Sequence, residues 1–444
     1  MITSYFSSSE KKLLSDCSLV CHSWLPICRQ RLFRKLNIRG GVHLIEDLIQ
    51  FLSTTPHVLG YIKDLHIEGN RPSSNNDVPS FTLSSYDLIR ILQPLKNLQN
   101  LRFSFVAFAS LDNSSEKEII SSQKFKLKSV SFRDTKWERG PFNATKSRSS
   151  QGVHDNAQLF SAKEFLHTLQ LFSDINHLEI ECLYSLKLKE VLSEQEIEEA
   201  VSQNTEVPQL SIHELRIRIR ILALPSVLNI LTRIIEPGSL NAVNVSCYDP
   251  TSRLAFANLL RVNSSSIARV ALNISDAELQ HNNARSEYWD SLGLRQCTNL
   301  PSLKITLYWG SEANTPNKVF PFQDLVYVLT TQAPPSLTSL TLSFNIIIYE
   351  EPVYLRLLSL DWSQMDKLFS KKFTRLKKLT FKLKSSGTRS SEEIKPTFDE
   401  VVCSLTGMLP SLKGRLEFLS RHKKYSGIPA PSITFRGCKL IRAS

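Results

Sequence analysis

The chain has 444 residues, 41% of them hydrophobic and 22% charged, with only 14 glycines and 8 cysteines. That balance excludes a chain disordered throughout, a collagen-like or glycine-rich fibre and a disulfide-stapled scaffold. Lysines and arginines number 54 against 42 aspartates and glutamates, a net charge of +12 that permits an acidic partner without demanding one.

The first twelve residues are polar and carry no apolar stretch of the kind a signal peptide needs. No apolar run in the chain nears the ~18 residues required to cross a bilayer. The expectation is an intracellular protein, cytoplasmic or nuclear, without a membrane partner. Residues 13–36 then place Leu13, Cys17, Val20, Cys21 and Trp24 at the spacing of one helical face. Pro26 breaks that helix, and a second follows with Cys28, Leu32 and Leu36 on its apolar face and Phe33 beside them. Cys17, Cys21, His22 and Cys28 lack the paired spacing of a zinc site, so the cysteines read as small apolar side chains. No metal and no cofactor is implied.

From residue 43 onward one pattern recurs, apolar-x-x-apolar-x-apolar. It appears as IKDLHI from Ile62, LQNLRF from Leu98, LKSVSF from Leu127, INHLEI from Ile175 and IHELRI from Ile212. It continues as LNAVNV from Leu240, IARVAL from Ile267, LPSLKI from Leu300, LTSLTL from Leu337 and LKKLTF from Leu376. The ten copies recur at an average step of about 35 residues. Positions four and six alternate with strand period, and position one turns the chain into the strand. Helical stretches precede most copies, at 43–52, 86–95, 164–172, 225–235, 252–262, 322–332 and 362–370. Each unit therefore reads as helix, turn, strand. Neither element can bury its apolar face alone, and stacking the units buries one continuous core. Residues 70–80, 133–157 and 384–397 read as loops, and the Glu-rich stretch 189–209 as a solvated helical insertion. A final helix and strand at about 397–419 reads as a cap in a different register, and 420–444 as a basic tail.

These units resemble leucine-rich repeats, although the period is long and the asparagine ladder is missing. The fold class so implied is α/β, an irregular leucine-rich-repeat-like solenoid of about ten helix–strand units, bent into a horseshoe or arc over 43–419. Alternation then assigns the concave face. It carries His66 and Glu68, Arg102 and Ser104, Ser131 and Arg133, Glu179 and Glu181, and Arg216 and Arg218. It goes on through Asn244 and Ser246, Ala271 and Asn273, Lys304 and Thr306, Thr341 and Ser343, and Thr380 and Lys382. A polar face of mixed charge with few aromatics suits a protein partner better than a small apolar ligand. Arg102, Arg133, Glu179, Glu181, Arg216, Arg218, Lys304 and Lys382 are the candidate partner-binding residues. The stretch LRIRIRI from Leu215 has two readings, an exposed basic stripe or arginines paired with neighbouring glutamates, and the second is the simpler. The basic residues from Lys371 to Lys384 cluster on the helix end and strand of one repeat, and such a charge run is usually a solvated face, so nucleic acid is disfavoured.

Residues 13–36 resemble the second half of an F-box, on SLVCHSW (18–24) followed eight residues later by LF (32–33). An F-box before leucine-rich repeats is a recurrent domain order. The resemblance implies that Leu14, Cys17, Leu19, Val20, Trp24, Leu32 and Phe33 dock on the adaptor subunit of a cullin–RING ubiquitin ligase, while the repeats hold an unknown substrate protein. The family's opening Leu-Pro-x-Glu/Asp helix does not stand before Leu13, so a partial F-box at 13–36 is expected. The alternative is a stand-alone repeat scaffold with a degenerate F-box and no ubiquitin link. No GxGxxG, P-loop, HExxH or GxSxG motif occurs, and no enzyme is expected.

Overall fold

The computed structural model describes residues 24–40, 44–70, 82–109, 124–138, 161–182, 195, 197–198, 209–219, 223–247, 249–275, 289–309, 322–347, 360–386, 401–422, 433–436 and 439–442. The fold is α/β, and the chain divides into two compact units, Met1–Leu240 and Asn241–Ser444.

In the first unit six parallel strands lie in the order β1 (Lys35–Arg39), β2 (Asp64–Glu68), β4 (Asn100–Ser104), β6 (Phe125–Arg133), β8 (Phe172–Cys182) and β9 (Ser211–Ile219). The fourth positions of the repeats form one row across it, Leu65 against Leu101, Val130, Leu178 and Leu215. The second unit repeats the arrangement with β10 (Ala242–Ser246), β11 (Arg269–Ser275), β12 (Ser302–Trp309), β13 (Ser339–Ile347), β14 (Lys378–Ser386) and β15 (Leu416–His422). Its row runs Val243, Val270, Leu303, Leu340 and Leu379. All three apolar positions of every copy are buried.

A backbone device recurs at several of the junctions between copies. The carbonyl at position two accepts two N–H groups, from positions two and three of the following copy. Lys63 O takes Gln99 N and Asn100 N at 2.8 and 2.9 Å. Gln99, Asn241, Pro301 and Thr338 repeat the motif with their successors. Position one lies buried beneath that junction, so an apolar residue there excludes water from the shared carbonyl.

The same bonds reveal copies outside the ten read from the sequence. Arg34 O accepts Lys63 N and Asp64 N at 2.9 and 3.0 Å, and Leu36 pairs with Leu65. FRKLNI from Phe33 is thus another copy. The expected second helix ends at Phe33, and Leu36 stands in β1 instead of on a helix. At the other end Leu416 aligns with Leu379 and Phe418 with Phe381, so the last strand keeps the common register, against the expectation of a different one. One additional residue between Leu412 and Leu416 is taken up where Gly414 adopts φ 84°. Beyond it β16 (Ile433–Arg436) and β17 (Lys439–Arg442) add on antiparallel.

The helices cover one face of the parallel strands. They run Leu44–Thr54, Ser85–Leu92, Ala162–Gln170, Ala223–Ile234, Pro250–Val262, Phe322–Tyr327 and Trp362–Lys371. Several starts are sequence-encoded. Ser84 and Asp87 form a reciprocal capping box, and Asp249 Oδ1 accepts the Ser252 amide at 2.8 Å. A π-turn, Val328–Gln332, extends the sixth helix, and Lys372 Nζ donates to two carbonyls in it, those of Leu329 and Thr330, at 2.9 and 2.6 Å. Partial burial holds that ammonium pKa below its ordinary value.

A second small sheet was not foreseen. β3 (Thr82–Leu83), β5 (Ala107–Ala109) and β7 (Lys136–Glu138) pair in parallel. Phe105 and Asp134, at φ 56° and 49°, turn the chain into β5 and β7 just after β4 and β6. Phe108 and Trp137 from this sheet meet Phe103, Phe132 and Phe165 with ring centroids 4.9–5.9 Å apart. The loop expected at 133–157 therefore begins with a strand. The Glu-rich segment 189–209 lies mostly outside the described residues, although Ile197 is buried.

Candidate functional site

Alternation along a strand sends every second residue away from the helices. In the first unit this builds two rows in register. One runs Asn37, His66, Arg102, Ser131, Glu179, Arg216, and the other Arg39, Glu68, Ser104, Arg133, Glu181, Arg218. The rows hold five arginines against three glutamates.

Opposite charges on neighbouring strands meet. Arg39 Nε donates to Glu68 Oε2 at 2.6 Å, and Arg216 Nη1 lies 3.2 Å from Glu179 Oε1. Glu181 is shared, with Arg133 Nε and Arg218 Nη1 each 3.5 Å from one of its oxygens. A third row adds His177 to Glu214 at 3.7 Å and Asn100 donating to Asp64. Exposed pairs of this kind contribute about 0–1 kcal/mol each, so their main effect is to fix strand register and use up carboxylates. Arg102 stands apart. It is exposed, and its side chain makes no hydrogen bond or ion pair among the described residues.

His66 sits beside it, half-buried, with Nε2 3.1 Å from Ser104 Oγ. Burial, reinforced by the positive charge of Arg102, Arg39 and Arg133 and opposed by Glu68, pulls its pKa down to about 4. The imidazole is neutral at pH 7, and that ring nitrogen can give or take a hydrogen bond according to tautomer.

The second unit carries a less charged face. Asn244, Ala271, Lys304, Thr341, Thr380 and Glu417 form one row, and Ser246, Asn273, Thr306, Ser343 and Lys382 part of the next. Thr380 Oγ1 donates to Glu417 Oε2 at 3.0 Å, and Lys378 Nζ reaches the same oxygen at 2.7 Å. Glu417 escaped the sequence reading because its strand was assigned another register. Lys304 and Lys382 are half-buried on this face. The basic run of residues 371–384 is not one continuous patch. Lys372 is spent on carbonyls and Lys378 on Glu417, while Arg375 and Lys377 line a cleft with Thr338, Thr374, Leu376 and Arg415.

Of the residues assigned to the ligase adaptor, Leu14, Cys17, Leu19 and Val20 lie outside the described residues. Trp24 immediately precedes the helix Leu25–Phe33, whose first turn holds Pro26, and its side chain makes no capping bond. Trp24 is 54% exposed and Ile27, one turn on, 55%. Leu32 and Phe33 are half-buried, while Cys28 is buried. Ile27 was missed because it falls off the apolar face read as core, yet Trp24 and Ile27 share an i, i+3 edge. Among the described residues no cluster of three or more histidine, cysteine or acidic side chains could hold a metal ion. No helix there is long and apolar enough to cross a membrane.

No protein-family profile matches the chain, and no curated protein matches it significantly.

Proposed function

We propose that the chain is a non-catalytic substrate-recognition adaptor of a cullin–RING ubiquitin ligase, an F-box segment followed by an irregular leucine-rich-repeat solenoid. The observation that carries this reading is the exposed pair Trp24 and Ile27. The two side chains lie one turn apart at the start of a helix in the stretch that resembles an F-box, so they expose one joined apolar spot where a partner could dock. The polar strand face would be the concave face and would hold the substrate. The mechanism is proximity. A target held near a ubiquitin-charged enzyme reacts at a raised effective concentration, with no chemistry by this chain. No cofactor enters, and the setting is cytoplasmic or nuclear.

One observation favours the rival, a stand-alone repeat scaffold. The helix Leu25–Phe33 leads directly into β1, and FRKLNI obeys the repeat pattern, so this segment also serves as the first unit of the array. A pull-down of the ligase adaptor subunit with the intact chain separates the two. The expected result is capture that drops at least tenfold when Trp24→Ala and Ile27→Ala are combined. The substitutions lie on an exposed edge, so the melting temperature should hold. A folded, unmutated chain that captures no adaptor would leave the scaffold reading.

A further inference from the structure

The carboxylates of the first unit's polar face are engaged: Glu68 by Arg39, Glu179 by Arg216, Glu181 by both Arg133 and Arg218. Arg102 lies among them in register, between His66 on β2 and Ser131 on β6, with no bond to any of them. Arg39 and Arg133 add positive charge from the neighbouring row, and Ser104 and Ser131 are small and largely buried there. The result is a guanidinium on rows that hold five arginines against three glutamates, with hydroxyls and an imidazole at its sides and no carboxylate bonded to it among the described residues.

We propose that Arg102 anchors a carboxylate from an acidic segment of a partner protein, with Ser104, Ser131 and His66 flanking it as hydrogen-bonding neighbours. The guanidinium presents a planar fork that matches a carboxylate in two parallel bonds. The excess of arginine over glutamate on the two rows gives the charge complementarity. Neighbouring strands stand about 4.8 Å apart, and a side chain recurs on one face about every 6.8 Å along a strand. An extended acidic peptide crossing β2, β4 and β6 would thus keep a second carboxylate within reach of Arg133 or Arg39. This deepens the reading of the strand face as a partner-binding surface, and it does not depend on the link to ubiquitin.

The test uses the full-length chain and random dodecapeptides displayed on phage. The retained pool should be enriched in Asp and Glu. The best synthetic peptide, measured by fluorescence anisotropy, should bind Arg102→Gln at least tenfold more weakly. Arg102→Lys should keep part of the affinity, and Lys96→Gln, which removes a positive charge from an exposed turn on the helix side, should keep all of it. Circular dichroism melts check that each variant is folded. A pool without acidic enrichment, including an empty one, would overturn the proposal, as would equal affinity for wild type and Arg102→Gln. A single-stranded oligothymidylate that binds tightly and is lost with Arg102→Gln would reassign the site to nucleic acid. The adaptor pull-down reads Trp24 and Ile27 and does not involve Arg102, so the two readings can fail separately.

Discussion

His66 shows how a side chain's surroundings decide its chemistry. Four charged groups act on it from its own strand and its neighbours: Glu68, Arg102, Arg39 and Arg133. Burial outweighs Glu68, and the folded pKa lies near 4 instead of the ordinary 6.5. The sign follows from proton counting. Above pH 6.5 both folded and unfolded imidazoles are neutral and stability is complete. Between 6.5 and 4 the unfolded chain binds the proton first, so stability falls as pH falls. A one-unit shift is worth about 1.4 kcal/mol, and partial exposure with solvent screening leaves a loss of about 1–2 kcal/mol. Urea unfolding at pH 7 and pH 4.5 should show that loss in the wild type and most of it gone in His66→Asn. Parallel pH curves would mean that the histidine is not held neutral by its setting. Sequence alternation could place His66 beside Arg102 on one face. It could not say that Glu181 would serve two arginines while the Arg102 side chain has no partner among the described residues, because that depends on which side chains reach across strands.

Elements were legible in proportion to how local their causes are. The strands and the seven expected helices follow from apolar spacing and from caps such as Ser84 with Asp87, all written within a few residues. FRKLNI was hidden because the helix before it carries its own apolar spacing through Leu36. The small sheet of β3, β5 and β7 was hidden because it hangs on left-handed backbone at Phe105 and Asp134, a conformation no local signal at Phe105 announces. The glycines at 293 and 414 are legible only in retrospect, and they differ in a way that can be measured. Both have positive φ, near 71° and 84°. A methyl group at Gly414 would meet nothing within 4 Å, whereas at Gly293 it would lie 3.0 Å from Ala257 Cβ and 3.1 Å from its Cα. Gly414→Ala should therefore cost about 1 kcal/mol from backbone strain alone. Gly293→Ala should cost more, about 2–3 kcal/mol, since the turn must also move off the helix Pro250–Val262. Equal costs in chemical denaturation would remove the close approach as a cause.

At the scale of the whole molecule, if the proposed solenoid holds, stability would be approximately a sum of nearest-neighbour terms. Each strand inside a unit is held on both sides by the ladder, and at several junctions the shared carbonyl at position two adds to it. In the second unit Phe344, Phe381 and Phe418 add a stack across β13, β14 and β15, with centroids 6.4 and 5.3 Å apart. In the hairpin of β16 and β17 the outer strand β17 is paired on one side, to β16. The hairpin's strands are four residues each, both of its pairings are antiparallel, and among the described residues the ladder joins it to the parallel strands through β15. A short terminal pair of strands can open without breaking the ladders within the parallel strands, so it should exchange its amide hydrogens by local unfolding rather than with the core. Hydrogen exchange followed by mass spectrometry should show peptides covering 433–442 labelled orders of magnitude faster than those covering β12, β13 and β14. Protection of the hairpin equal to that of β13 would mean that the antiparallel strands fold as one cooperative body with the repeats. The array would then be closed at that end by a true cap, and deleting 433–442 should lower the stability of β14 and β15 as well.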